Sequence, residues 1–165
     1  MERKPRGPCG RWRGTYTYDV SADNPGPARS VEFELSIEQG ALQRIFGRFR
    51  GTVTDARTEV EQGTGTLRGL VRGSAIRFVK RMPIAFVHSN GRSMLLSERL
   101  AELGHPGLPN PKGTPIRYAG RFEDPDQASG VWVVRARHMR VARGVWVRTA
   151  RTTGTWTMRR STETR

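Results

Sequence analysis

Each of the four tryptophans stands two residues after a glycine: Gly10-Arg11-Trp12, Gly130-Val131-Trp132, Gly144-Val145-Trp146 and Gly154-Thr155-Trp156. Side chains alternate across a β-strand with period two, so a glycine and a ring at that spacing share one face. The pattern recurs near both ends of the chain. First and last strands that face one common interior imply a sheet closed on itself.

The rest of the sequence supplies the other strands. Strand one runs from Gly10 to Asp19, with Trp12, Gly14, Tyr16 and Tyr18 on one face. In strand two, Val31, Phe33, Leu35 and Ile37 alternate with Glu32, Glu34 and Ser36, the pattern of a half-buried strand. Strand three, Arg44 to Asp55, carries Ile45, Gly47, Phe49, Gly51 and Val53 on one side, with Phe46 facing outward. Strand four spans Gly63 to Arg72, and strand five carries Ile76, Phe78, Lys80 and Met82 on one face. Strand six presents Ile116, Tyr118, Gly120 and Phe122; strand seven begins at Gly130; Arg143–Arg148 and Gly154–Arg160 give two short strands or one long bent one. Loops are expected at Ser21–Pro27 and Asp124–Asp126, and turns at Gln39-Gly40, Glu59–Gly63 and Gly73-Ser74.

Residues 83–113 break this rhythm. Ser93 is placed to cap a helix over Met94–Leu103, with Gly104 as its stop and a proline-rich loop from His105 to Lys112. The expectation is an all-β protein: a closed up-and-down antiparallel barrel of about eight strands, with a short helix or lid in 83–113. Residues 10–160 form one domain, flanked by tails at 1–9 and 161–165.

The sequence contains no apolar run of the ~20 residues that a membrane helix requires. No apolar segment follows the charged start, so no secretory signal is expected and the protein is assigned to the cytoplasm. Cys9 is the sole cysteine, which excludes an internal disulfide and a cysteine-rich zinc site. The net charge is +14, and only Lys4, Lys80 and Lys112 of the 29 basic residues are lysines. Such a charge favours anionic partners, while the arginine skew is also what biased codon usage gives.

Gly10-x-Trp12 at the opening of strand one resembles the first-strand signature of the lipocalin and calycin barrels. Further runs are similar to small calycin-like barrels: Phe49-x-Gly51-x-x-x-Asp55, Gly65-x-Leu67-x-Gly69-x-x-x-Gly73-x-x-Ile76-x-Phe78-x-Lys80, Ile116-x-Tyr118-x-Gly120-x-Phe122 and Gly130-x-Trp132-x-Val134. The resemblance implies that Trp12 caps one barrel end beneath an arginine of the last strand, Arg160 or else Arg159. The 83–113 excursion and the Trp146 segment depart from the pattern. Likeness to haem-binding nitrobindin-like barrels stops at Gly-x-Trp-x-Gly, because no histidine lies on the last strand (the three are His88, His105 and His138). No cofactor is implied.

Two constellations can carry function. Lys80 shares the inward face of strand five, where an ammonium needs a partner or a ligand. Asp55 has matching parity and opposite charge, and Tyr118 adds a hydroxyl. One reading makes Lys80, Tyr118 and Asp55 polar contacts for a small apolar or anionic ligand held among rings such as Trp12 and Trp132, with Arg160 closing one end. The other pairs Lys80 with Asp55 as a structural bridge. Inner-face glycines likewise either open a pocket or make room for neighbouring rings. On the outer face, Arg77, Arg81, Arg117, Arg121, Arg135 and Arg137 form a basic surface if their strands adjoin, which suits nucleic acid or an acidic protein. Catalysis has less support: the histidines are scattered, Glu32 and Glu34 face solvent, and no nucleophile elbow or phosphate loop is present. An isomerase or cyclase remains a third reading by fold analogy. The expected function is non-catalytic binding of a small ligand, with no metal.

Overall fold

Val31, Phe33, Leu35 and Ile37 are buried while the residues between them are exposed, and the same alternation builds most of the chain. The computed structural model describes residues 7–21, 28–56, 63–89 and 92–162. The elements in chain order are β1 (Gly10–Tyr18), β2 (Ser30–Glu38), α1 (Ala41–Ile45), β3 (Arg48–Ala56), β4 (Thr64–Arg72), β5 (Ala75–Arg81), β6 (Phe86–Ser89), β7 (Arg92–Leu95), α2 (Leu96–Glu102), β8 (Ile116–Asp124), β9 (Gln127–Val134), β10 (Arg137–Ala142), β11 (Val145–Thr149) and β12 (Thr152–Arg160). Eight of the strands close into an antiparallel barrel in the order β1-β12-β9-β8-β5-β4-β3-β2. Each barrel strand therefore pairs with the strands that precede and follow it around the wall, and β1 meets β12. Two hairpins, β6-β7 and β10-β11, stand outside the wall. The expected all-β closed barrel is the fold of this chain.

Several local expectations need correction. Strand three begins at Arg48, not Arg44: Ala41–Ile45 is a short helix, and Gly47 turns the chain at φ +66°. Ile45, expected on the inner face, is 75% exposed. Helix α2 starts after Leu95 rather than after a Ser93 cap, because residues 92–95 pair with 86–89 as a ribbon and their backbone groups are already engaged. Its first turn is held by the Glu98 carboxylate, which accepts from the Leu95 N–H at 3.0 Å. Gly104, with φ +90°, ends the helix as expected. Leu96 and Leu100 of this helix are buried, whereas Leu103 just beyond it is exposed. The chain between Val134 and Thr152 is a complete hairpin, not a short strand or a bend of the last one, and Trp146 on it is 63% exposed. Of the expected turn at 59–63, residues 59–62 lie outside the described residues, as do 22–27 of the first loop, 1–6 of the first tail and 163–165 of the second.

Several inner-face glycines have a direct packing cause, although the Gly144–Trp146 pair does not share in it, since Gly144 has open space around it. Gly154 on β12 stands opposite Trp132 on β9, and a Cβ there would meet the Trp132 Nε1 at 2.5 Å. Likewise a Cβ on Gly120 would meet Trp156 at 2.7 Å, one on Gly14 would meet Phe33, and one on Gly69 would collide with Phe49. The missing side chain is filled by a ring from the adjacent strand at Gly154, Gly14 and Gly69, and from β12, one strand further on, at Gly120. Each of the three buried indole N–H groups then finds a backbone carbonyl: Trp132 donates to Thr17 (3.2 Å) and Thr155 (3.1 Å), Trp156 to Val131 (3.1 Å) and Trp12 to Pro8 (2.8 Å). Buried tryptophan requires such a partner.

Substituting Gly154→Ala overpacks this contact and is expected to cost about 3 kcal/mol. Gly73→Ala, at a turn with φ +57° and open space around it, is expected to cost about 1 kcal/mol from backbone strain alone. Urea denaturation midpoints of the two variants check the ranking; equal losses would contradict the packing role.

Candidate functional site

The barrel has two unlike ends. At one, Arg160 lies opposite Trp12 in the β1–β12 register, and its guanidinium sits 4.4 Å from the indole centroid. Its Nε donates to Asp126 Oδ1 at 2.7 Å, and its terminal nitrogens donate to the carbonyls of Gly7 (3.1 Å), Pro125 (3.3 Å) and Cys9. Phe122 packs on Trp12 with centroids 5.8 Å apart. That end is shut by side chains whose polar groups are satisfied.

The middle of the lumen is also filled. Phe78 stacks on Tyr118 with centroids 4.5 Å apart, and Trp156 meets Phe78 edge-on at 5.6 Å. An eight-stranded barrel has room for its own side chains or for one small ligand; here the rings take that room.

Nearer the other end lies the polar trio that strand parity brings inward. Lys80 Nζ reaches both oxygens of Asp55 at 2.6 Å, and the Tyr16 hydroxyl donates to Asp55 Oδ2 at 2.9 Å. The ammonium also lies 4.5 Å from the centroid of the Tyr16 ring. The two charged side chains are 2% and 0% exposed. Asp55, Lys80 and Tyr16 belong to β3, β5 and β1, no two of which are hydrogen-bonded neighbours. The trio ties three separate wall segments across the lumen.

Beyond it, the mouth opens into a cavity of about 400 Å³. Tyr16, Tyr18, Tyr118 and Trp132 reach it from the barrel, and Met82, Ile116 and Val134 form its collar. The roof comes from the two insertions: Leu96 and Leu100 of α2 cluster with Ala85, and Val87, Met139 and Val147 pack against them. Arg99 and Arg148 stand at the rim. Arg99 is paired with Glu102 at 2.9 Å, whereas Arg148 is exposed and has no ion pair among the described residues. Asn110 holds the roof in place. Its Oδ1 accepts from the Ser97 N–H at 2.9 Å and its Nδ2 donates to the Ala85 carbonyl at 2.8 Å, which ties the start of α2 to the strand leaving the barrel.

Among the residues singled out by sequence, Tyr118 and Trp132 line the cavity, Lys80 and Asp55 lie beneath it joined to each other, and Trp12 and Arg160 are at the opposite end. Arg77, Arg81, Arg117 and Arg121 are exposed on the adjacent strands β5 and β8. Arg135 and Arg137 fall beyond the end of β9 and outside that sheet face. Asn110 and Arg148 were not singled out. The Pro109-Asn110-Pro111 run is the local signal for the first; the second carries none. Among the described residues no group of three or more His, Cys, Asp or Glu side chains could hold a metal ion, and no helix is long and apolar enough to cross a membrane. Comparison with protein-family models, curated proteins and solved structures gives no match. The class defined by the coordinates is a closed eight-stranded antiparallel barrel with a lidded cavity at one mouth, a form compatible with the calycin-like barrels.

Removing one partner of the buried pair strands the other. Lys80→Met is expected to destabilise the fold by about 3–5 kcal/mol, whereas Lys80→Met with Asp55→Leu recovers most of that loss. A double-mutant cycle by chemical denaturation checks this; additive losses would show that the two side chains act independently.

Proposed function

We propose that the protein binds a small, largely apolar molecule with an anionic end group in the cavity under the lid, without transforming it. The observation that carries this reading is the cavity itself. Its volume falls within the usual range for small-molecule sites, and it is floored by aromatic rings and roofed by leucines. The apolar body packs on Trp132, Tyr118 and Tyr18, and the anionic end faces Arg148 at the rim. Lys80 and Asp55 support the floor through Tyr16 rather than touching the ligand, since each already neutralises the other. The closed barrel and the guanidinium over the first-strand tryptophan support grouping this protein with the calycin-like barrels.

Titration with decanoate and with decanol, read by tryptophan emission and calorimetry, tests the reading. Saturable one-to-one binding is expected for both. Val134→Phe, which places a ring at the collar, is expected to weaken both at least about tenfold, equivalent to about 1.4 kcal/mol. Arg148→Gln is expected to weaken decanoate about tenfold, consistent with loss of a charged hydrogen bond, and to leave decanol unchanged. Absence of saturable binding by either molecule, or full affinity in the Val134→Phe variant, would overturn the proposal.

A further inference from the structure

The outer wall formed by β3, β4, β5 and β8 carries arginines in cross-strand register. Arg50 on β3 stands directly opposite Arg68 on β4. Across β5, Val79 alone separates Arg68 from Arg117 on β8. Arg77 and Arg81 extend the surface along β5, and Arg48, Arg72 and Arg121 border it; every one of these side chains is exposed. The outward positions of β3, β4 and β5 contain no carboxylate. Those on β8 are confined to its end, where Glu123 is bonded to Gln127 and Ser129. Among the described residues none of these arginines has an ion pair. The opposite wall differs: there Arg13 on β1 bridges to Glu34 on β2 at 2.9 Å.

Like charges placed directly across a strand pair destabilise a sheet. One such pair, Arg50–Arg68, lies on this wall among further exposed arginines with no counter-charge on the outward positions of β3, β4 and β5, and that crowding carries a cost that an external polyanion removes. Guanidinium forks match phosphate oxygens better than ammonium groups do. The outward positions of these strands include no aromatic residue, and the single exposed ring ahead of β3, Phe46, does not make the row of platforms that successive unpaired bases require. Among the described residues β3, β4, β5 and β8 run as consecutive wall strands with both hairpins outside the wall, and base-edge readout needs an element that enters a groove. These features select a duplex and contact with its backbone alone. We propose that the outer face of β3, β4, β5 and β8 binds the phosphate backbone of double-stranded nucleic acid without reading its sequence. This surface is separate from the cavity, and its occupation does not depend on a ligand there.

The test is fluorescence anisotropy with a labelled mixed-sequence DNA duplex over a salt series. The matching RNA duplex, the single strand and polyglutamate serve as competitors. Duplex affinity is expected to fall steeply with salt, by roughly 0.9 in log–log slope for each phosphate contact. Arg50→Gln, Arg68→Gln and Arg117→Gln together are expected to flatten the slope by about 2.7. Arg11→Gln, Arg151→Gln and Arg159→Gln together remove the same charge from the other side and are expected to change it far less. Circular dichroism confirms the fold of both variants, and decanoate titration shows separately whether the cavity is intact. Equal losses in the two triple variants would reduce the effect to net charge and overturn the proposal. So would polyglutamate or the single strand competing better than either duplex.

Discussion

The seam between β1 and β12 is the constraint on which the rest of the fold depends. A closed sheet forms only if its first and last strands are held together; here β1 and β12 pair from Trp12–Arg160 to Tyr18–Gly154, and a side chain from a third strand adds to that ladder. Trp132 rises from β9, crosses β12 over Gly154, and shares its N–H between Thr155 of β12 and Thr17 of β1. Tyr18 then meets the indole edge-on at 4.9 Å. A glycine is required at 154 because a Cβ there would collide with the Thr17 carbonyl oxygen and lie 2.5 Å from the indole nitrogen. The same exchange of an absent side chain for a neighbour's ring recurs at Gly14 and Gly69, and at Gly120 the ring comes from β12, one strand further on. It lets a narrow lumen be filled to interior density without forcing the wall outward.

The buried ion pair complements this apolar interlock. Taking both charges out of water is unfavourable, and their attraction offsets that cost only when the geometry is good and the remaining lone pairs are engaged. The bidentate Lys80–Asp55 contact and the Tyr16 hydroxyl meet that condition. Rings can slide over one another at small cost, but this trio has one favourable arrangement of β1, β3 and β5. Its position just below the cavity also matters. Tyr16 belongs at once to the polar trio and to the cavity surface, so the shape of that surface is coupled to the ionic contact.

Strand parity makes the barrel readable from the sequence. Inward placement of Asp55, Lys80 and Tyr118 followed from counting by two, and the glycine–ring spacing pointed to closure. Two kinds of feature escaped that logic. The helix start at Leu96 depends on the ribbon pairing of 86–89 with 92–95, a contact that no local propensity around Ser93 reveals. The cavity roof is assembled from α2 and the β10-β11 hairpin, and the hairpin itself read only as a short strand or as part of a bent one. Their meeting is a tertiary event, so Arg148 and Asn110 carried no periodic signal. The arginines on β3 and β4 were legible by parity, yet their significance arises only when those strands are set beside β5 and β8.

The two ends of the barrel are also unlike in how the backbone leaves them. β1 starts and β12 finishes at the capped pole, where residues 7–9 fold beneath the Arg160 side chain. A fluorophore or surface tether attached at Ser161, which follows β12 directly, would sit there, a full strand length away from the lidded mouth. Immobilised by such a tether, the molecule would present its cavity toward the solution, an orientation suited to a surface-bound sensor.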